Sequence, residues 1–379
     1  MRSLIRRRLL WCVGLLLRPW SWSATRVGAP HRILVVKPDH MGDVLLLTPA
    51  LQALRAQLPE AHISVLVGPW AASLLAGSPL VDHLHTCAFP GFTRQERMGL
   101  LQPYWLLLTT AARITLAGYD VALIARDDHW WGALLTALAR IPRRIGFAVP
   151  EVAPFLTMQL PYALGAHVAA QNLELVAALT GVEPAPYPMQ LTITPAARVW
   201  AEERLGSVQG RLVAIHPGAG GQAKLWLAER WIAVAHALEE AGSCVVLTGG
   251  PGEAALVATI GAALRRPIIV TDAPSLVHLG ALFRCCQMVL GVDSGPLHVA
   301  VAVGVPTLAL FGPGNVGRFG PWGDPGRQVV IRSGLWCSPC GVLEHCPRGT
   351  APSECMALIP SDAVIQRATA LLEVTQSPV

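Results

Sequence analysis

Seven short runs of almost wholly apolar, largely β-branched residues recur along the chain, and helical patterns fill the stretches between several of them. The runs are Ile33 to Val36, Ile63 to Val67, Val121 to Ile124, Leu212 to Ile215, Val245 to Leu247, Met288 to Val292 and Thr307 to Leu310. A strand that faces water on one side alternates apolar and polar residues, whereas these do not alternate, so each must be covered on both faces by crossover helices. Val44 to Gln57, Val168 to Leu179, Glu229 to Glu240, Ala254 to Leu264 and Ser275 to Phe283 supply helical periodicity. The class that fits is α/β with parallel sheets. The length of 379 residues suits two domains. Four prolines fall within Gly181 to Pro195, which marks that segment as the hinge. The expected organisation is a basic apolar segment over 1–30, an N-terminal domain over 31–190, a C-terminal domain over 191–360 and a helix with a tail over 361–379.

Composition removes several classes. Hydrophobic residues make up 53% and charged residues 14%, with a mean hydropathy of +0.46, which excludes a disordered chain. A net charge of +5 is too small and too scattered to argue for nucleic acid, and none is expected as a partner. The N-terminal segment is distinctive: Arg2, Arg6, Arg7 and Arg8 precede an apolar run from Leu9 to Leu17, closed by Arg18-Pro19-Trp20 and followed by Trp22 and Arg26. It is too short to span a bilayer. The expected form is an interfacial helix with arginines among headgroups and Leu and Trp in the acyl boundary. A cleaved signal peptide, a disordered leader and a misassigned start are the alternatives.

Chemistry gathers where strands end. After Ile33 to Val36 comes Lys37-Pro38-Asp39-His40-Met41-Gly42-Asp43, in which Gly42 permits close backbone approach and Asp43 is placed at a helix N-cap. Asp43 either caps that helix or serves as a carboxylate that takes a proton from a hydroxyl. After Leu212 to Ile215 comes His216-Pro217-Gly218-Ala219-Gly220-Gly221, followed by Lys224 and Trp226. Its backbone amides and the Lys224 ammonium suit a phosphate, although the spacing is not that of a P-loop. Thr248-Gly249-Gly250 with Glu253 repeats the pattern, with Glu253 available for ribose hydroxyls or for the dipole of a first helical turn. Asp293-Ser294-Gly295-Pro296 with His298 opens a helix whose free amides form an anion site. Local capping by Asp293 and Ser294, and a core role for His298, are the structural alternatives.

Taken together, Gly42-Asp43 with Thr48-Pro49-Ala50-Leu51, His216-Pro217-Gly218 with Lys224 and Trp226, Asp293 to His298, and Val305-Pro306-Thr307 with Leu310-Phe311-Gly312-Pro313 resemble glycosyltransferase family 9. These are the bacterial heptosyltransferases of lipopolysaccharide core synthesis, and the resemblance runs from about Ile33 to Ile365. It implies a GT-B fold, two doubly wound Rossmann-like domains facing across a cleft. It also implies inverting, metal-independent transfer of a heptose or related sugar from a nucleotide diphosphate donor, ADP-heptose above all, to a lipid-linked glycan, with no cofactor. Asp43 matches the family's general base and Lys224 its diphosphate-binding lysine. Asp293 to His298 match its donor-binding loop, and the substrate-binding positions are then Gly42, His216, Gly218, Thr248, Gly249, Gly250, Glu253, Asp293, Ser294, Gly295, Pro296 and His298. The expected location is cytoplasmic, on the inner face of the membrane.

Cys337, Cys340, Cys346 and Cys355 form a C-x2-C-x5-C-x8-C series open to three readings: a structural metal, a labile disulfide or packed thiols. No catalytic metal is expected there. Two rival functions remain at this level. A nicotinamide-dependent oxidoreductase also uses Rossmann-like domains, but no strand here is followed by Gly-x-Gly-x-x-Gly with an acidic residue about 20 positions on. A non-catalytic nucleotide-sugar-binding protein would not need both Asp43 and Lys224.

Overall fold

The computed structural model describes residues 2–17, 30–93, 99, 101–206, 208 and 210–374, and these fall into two compact units, Met1–Tyr187 and Pro188–Val379. Arg18, Pro19, Trp20, Trp22 and Arg26 of the N-terminal segment lie outside the described residues.

Unit 1 runs α1 (Arg2–Leu17), β1 (Arg32–Lys37), α2 (Met41–Leu45), α3 (Thr48–Gln57), β2 (His62–Val67), α4 (Ala72–Leu75), β3 (His83–Thr86), α5 (Gln102–Ala117), β4 (Val121–Ile124), α6 (Trp130–Leu138), β5 (Arg143–Phe147), β6 (Met158–Leu160) and α7 (Val168–Thr180). Its six strands are parallel in the order β3-β2-β1-β4-β5-β6, with Ile33 in register with both Ile63 and Val121. Leu34, Val36, Leu66, Ala122 and Ile124 project into one core with Leu107, Ala111 and Ile114 of α5 and Trp131 of α6. Ile33 and Val35, on the opposite face, are just as buried. Burial on both faces is why these strands carry no polar alternation. Leu10 of α1 joins the same core as α5, Gly14 lies so close to Pro154 that a Cβ would collide with it, and Arg7 pairs with Glu151 at 2.7 Å.

Unit 2 runs α8 (Pro195–Leu205), β7 (Arg211–His216), α9 (Ala228–Glu240), β8 (Ser243–Thr248), α10 (Ala254–Gly261), β9 (Ile268–Val270), α11 (Leu276–Arg284), β10 (Met288–Val292), α12 (Gly295–Ala302), β11 (Thr307–Leu310), α13 (Val316–Phe319), β12 (Gln328–Ile331), α14 (Glu354–Ala357) and α15 (Ser361–Val374). The sheet is again parallel, ordered β12-β11-β10-β7-β8-β9. Read from the first strand of each unit, both sheets have the doubly wound order 3-2-1-4-5-6, so each has a switch point, between β1 and β4 and between β7 and β10. The segment expected as a C-terminal helix and tail supplies α15, whose Val364, Ala368, Leu371 and Leu372 share a core with Trp231 of α9.

Val44 to Gln57, expected as one helix, is two: α2 ends at Leu45, and Pro49, which has no amide to donate, sits in the first turn of α3. The Asn172 amide donates to the Leu46 carbonyl at 3.1 Å and so satisfies the break. Asp43 is therefore not the cap: the N-cap is His40, and Asp43 is half-buried in the first turn.

His129, at the start of α6, is packed edge-on against Phe89 and Phe92, with ring centroids 5.1 and 5.8 Å away. Neither ring nitrogen has a hydrogen-bond partner among the described residues, and burial pushes the imidazole down to about 4. An unfolded histidine takes its proton near pH 6.5, while this one stays neutral in the folded state until about pH 4, so stability falls as pH drops through that interval. His129→Phe is expected to flatten this dependence. In urea titrations between about pH 7 and about pH 5 the parent should lose roughly 2 kcal/mol more than the variant.

Candidate active site

In unit 2 the sequence-predicted residues collect at the carboxyl ends of β7, β8 and β10, around the switch point. Lys224 lies in a 3₁₀ turn, Gln222–Lys224, and its Nζ is 2.9 Å from Oδ2 of Asp293, the residue that follows β10. Both side chains are largely buried, at 15% and 11% exposure, so the pair is shielded from bulk water yet open at one side. The turn is held from two directions. The Ala223 amide donates to the Leu343 carbonyl, and Trp226, two residues after Lys224, donates from Nε1 to the Ile359 carbonyl. Trp226 also packs edge-to-face on Trp231 at 4.9 Å. Arg230 donates to the carbonyls of Ala357 and Ile359.

Ser294 stands at the N-cap of α12, and Pro296 occupies the first turn. Its hydroxyl makes no capping bond and is buried without a partner among the described residues, so the local-capping explanation does not account for it. The Gly295 and Leu297 amides are first-turn donors for which the helix has no acceptor. A cation, an orphaned hydroxyl and a helix N-terminus thus surround one strand end, which is the composition of an anion site. His298 is buried one turn further along α12.

His216 ends β7 fully buried, with Nδ1 3.0 Å from Thr248 Oγ1 and Nε2 3.4 Å from Glu253 Oε2. Burial lowers its pKa, against the opposing pull of the Glu253 carboxylate. Glu253 also accepts from the Gly250 amide at 2.6 Å. A Cβ at Gly218 would meet the Glu253 carboxyl carbon at 2.0 Å and one at Gly314 would meet Asp293 Oδ2 at 2.3 Å, so a larger residue at either position would displace those carboxylates. Gly249 is similarly crowded by Val257. These glycines act by letting neighbouring loops touch, not by adopting left-handed backbone.

Unit 1 offers a second charged cluster that motif reading passed over. Asp39, buried after β1, lies 3.1 Å from Lys37 Nζ and 2.5 Å from Arg126 Nη1, and Arg126 follows β4 across the switch point. Desolvation alone would raise the Asp39 pKa, but the two cations outweigh it and hold the carboxyl below its usual range. Arg126 also bonds Asp128 at 2.6 Å and lies over the Phe92 ring. The signal was available: Lys37 and Asp39 stand in the same loop as Gly42 and Asp43, but Arg126 is far away in sequence and only the sheet order brings it there. Asp43 and Gly42 belong to unit 1, so the structure groups them with this cluster's loop and not with Lys224.

The four C-terminal cysteines are free thiols that line one cavity of about 70 Å³ with Pro313, Leu335 and Glu354. Among the described residues no group of three or more His, Cys, Asp or Glu is arranged to hold a metal ion. The segment braces the β11 loop: Ser338 donates to the Gly312 carbonyl at 2.6 Å and the Gly341 amide to that of Pro313.

Comparison with known proteins follows the same lines. The family model for glycosyltransferase family 9 (heptosyltransferase) matches residues 110–348, more than half of the chain. Lipopolysaccharide heptosyltransferase 3 of Escherichia coli is 28% identical over 298 residues, covering 75% of this chain and 84% of that protein. The crystal structure of a family 9 glycosyltransferase from Veillonella parvula superposes with a TM-score of 0.77 at 24% identity, covering 91% of this chain and 97% of that one. An E. coli heptosyltransferase solved with ADP gives 0.70 at 19% identity, covering 90% and 99%. The two doubly wound α/β units are those of the GT-B fold, and the chain belongs to glycosyltransferase family 9, the heptosyltransferase family.

Proposed function

We propose that this glycosyltransferase moves a heptose, with inversion and without a metal, from ADP-heptose to a lipopolysaccharide core or related lipid-linked glycan at the inner face of the cytoplasmic membrane. The observation that carries the reading is the Lys224–Asp293 pair beside the uncapped N-terminus of α12. The relatives' names supply the sugar and the acceptor, and the ADP-bound neighbour supplies the nucleotide.

Asp293 fixes the Lys224 ammonium where a diphosphate can become its second counter-ion. The Ser294 hydroxyl and the first-turn amides of α12 then donate to the same phosphates. Charge grows on the diphosphate as its bond to the anomeric carbon breaks, so these groups bind the transition state more tightly than the donor. Gly218, Thr248, Gly249, Gly250, Glu253, His216 and His298 shape the remainder of the donor pocket in this reading. The acceptor hydroxyl attacks the anomeric carbon from the opposite face as Asp43 takes its proton, giving inversion in one step. With cation and helix dipole meeting the phosphate charge, the protein itself supplies what a divalent ion supplies elsewhere.

Calorimetric titration with ADP, ADP-heptose, UDP, GDP and NAD tests the donor. ADP and ADP-heptose should bind, and Lys224→Ala should weaken both by about 30-fold or more, since it removes a charge-assisted contact and leaves Asp293 unpaired beside the phosphates. Binding of NAD alone, or unchanged ADP affinity in the variant, refutes the assignment. For the base, Asp43→Ala should keep donor affinity while turnover falls by at least about a hundredfold. Parental turnover in that variant removes Asp43 from the mechanism.

A further inference from the structure

The solvent side of α5 is apolar where a surface helix of a water-soluble unit should be polar. Leu101, Tyr104, Trp105, Leu108, Ala112 and Leu116 recur at helical spacing and form one outward stripe, with Leu101, Trp105 and Leu116 exposed by 80%, 70% and 89%. The opposite side, Leu107, Thr110, Ala111 and Ile114, is buried against the sheet. With 16 residues the stripe is about 24 Å long. Scattered exposed leucines need no explanation, but a continuous row containing Tyr and Trp does.

The second observation is α1. It docks through Leu10 and Gly14 and presents Leu9, Trp11, Leu15 and Leu16 outward, Leu16 at 76% exposure. Both α1 and α5 pack against α6, so the two apolar exteriors belong to one helical layer of unit 1. The third is charge. Residues 1–187 contain 16 Lys and Arg against 11 Asp and Glu, whereas residues 188–379 contain 13 of each, so the whole net charge of +5 resides in unit 1. Six arginines and no acid lie in the first 26 residues. Arg8 and, beside the α5 stripe, Arg113 are exposed. Among the described residues no helix is long and apolar enough to cross a membrane.

We infer that α5 is a bilayer-contact element: its Leu101, Tyr104, Trp105, Leu108 and Leu116 enter the interfacial region of an anionic membrane beside α1, so that the layer formed by α1, α6 and α5 faces the lipid. Leu and Trp at the acyl boundary with arginine at headgroup level is the chemistry that an anionic bilayer recognises. Two contact elements on one layer also fix the orientation of unit 1, which a single flexible leader cannot do. The inference rests on the lipid-linked acceptor proposed above.

The test uses the full chain and co-sedimentation with vesicles of phosphatidylethanolamine and phosphatidylglycerol, with phosphatidylcholine vesicles as the neutral control. Trp105→Glu with Leu108→Glu, both exposed, should lower the partition coefficient by at least about tenfold, and Leu15→Glu with Leu16→Glu in α1 should lower it separately. Thermal melts of the variants should match the parent, and transfer to a delipidated acceptor should be unaffected. Parental partitioning of the α5 variant overturns the inference. So does a parent that ignores vesicles but forms a dimer that the α5 variant breaks, which would assign the stripe to a second copy. Absence of sugar transfer by every form, with vesicle binding still sensitive to α5, would instead refute the acceptor reading and leave the lipid contact standing.

Discussion

The Lys224 ammonium pairs with the Asp293 carboxylate 2.9 Å away, and much of the loop structure of unit 2 keeps those two groups together. They come from different strand ends, and β7 and β10 are neighbours only because the chain leaves for β8 and β9 and then returns on the other side of its first strand. That return creates the gap into which both loops descend. Gly314 yields space to Asp293, Gly218 yields space to Glu253, and Leu343 and Ile359 hold the Lys224 turn from outside. A partly buried ion pair of this kind contributes little net stability, because desolvation offsets the attraction. In the proposed transferase its value is to keep a cation in place before the donor's diphosphate arrives, which lowers the reorganisation that binding would otherwise require.

Unit 1 places charge at the equivalent point of the same strand order and uses it differently. There Asp39 is held between Lys37 and Arg126, Arg126 pairs in turn with Asp128, and the buried carboxylate serves to organise the two cations. Asp43 lies four residues further on, in a short helix that ends almost at once. Two units with one topology thus present different chemistry at their switch points because different residues follow the corresponding strands.

The strands that sequence reading found are those buried on both faces: Val121–Ile124, Met288–Val292 and Thr307–Leu310 fall where the apolar runs place them. Those it missed are β3, β5, β6, β9 and β12, which occupy or adjoin sheet edges. β3, covered incompletely, reads His-Leu-His-Thr, and β5, although buried from Arg144 to Phe147, begins with two arginines, so neither forms an apolar run. The motif loops were legible because glycine, proline and charge cluster at strand ends, and Lys224 and Asp293 do meet. Arg126 was illegible, since its pairing with Asp39 depends on which strand lies beside β1. The α5 stripe was hidden for the opposite reason: Tyr-Trp-Leu-Leu-Leu is apolar throughout, and sequence alone does not say which side meets the sheet.

The anchoring of the Lys224 turn by Ile359, and of the α9 core by α15, also sets an order of assembly during synthesis. Unit 1 has all of its strands once residue 160 has been made, so it can close while the ribosome is still translating unit 2. The Lys224 turn waits for its anchors, which arrive on the order of a hundred residues later, roughly five to thirty seconds at ordinary elongation rates. Through that interval β7 and the glycine loop exist without the helix that covers them. The nascent chain therefore completes unit 1, with its apolar helical layer, well before the Lys224 turn of unit 2 gains the contacts that hold it.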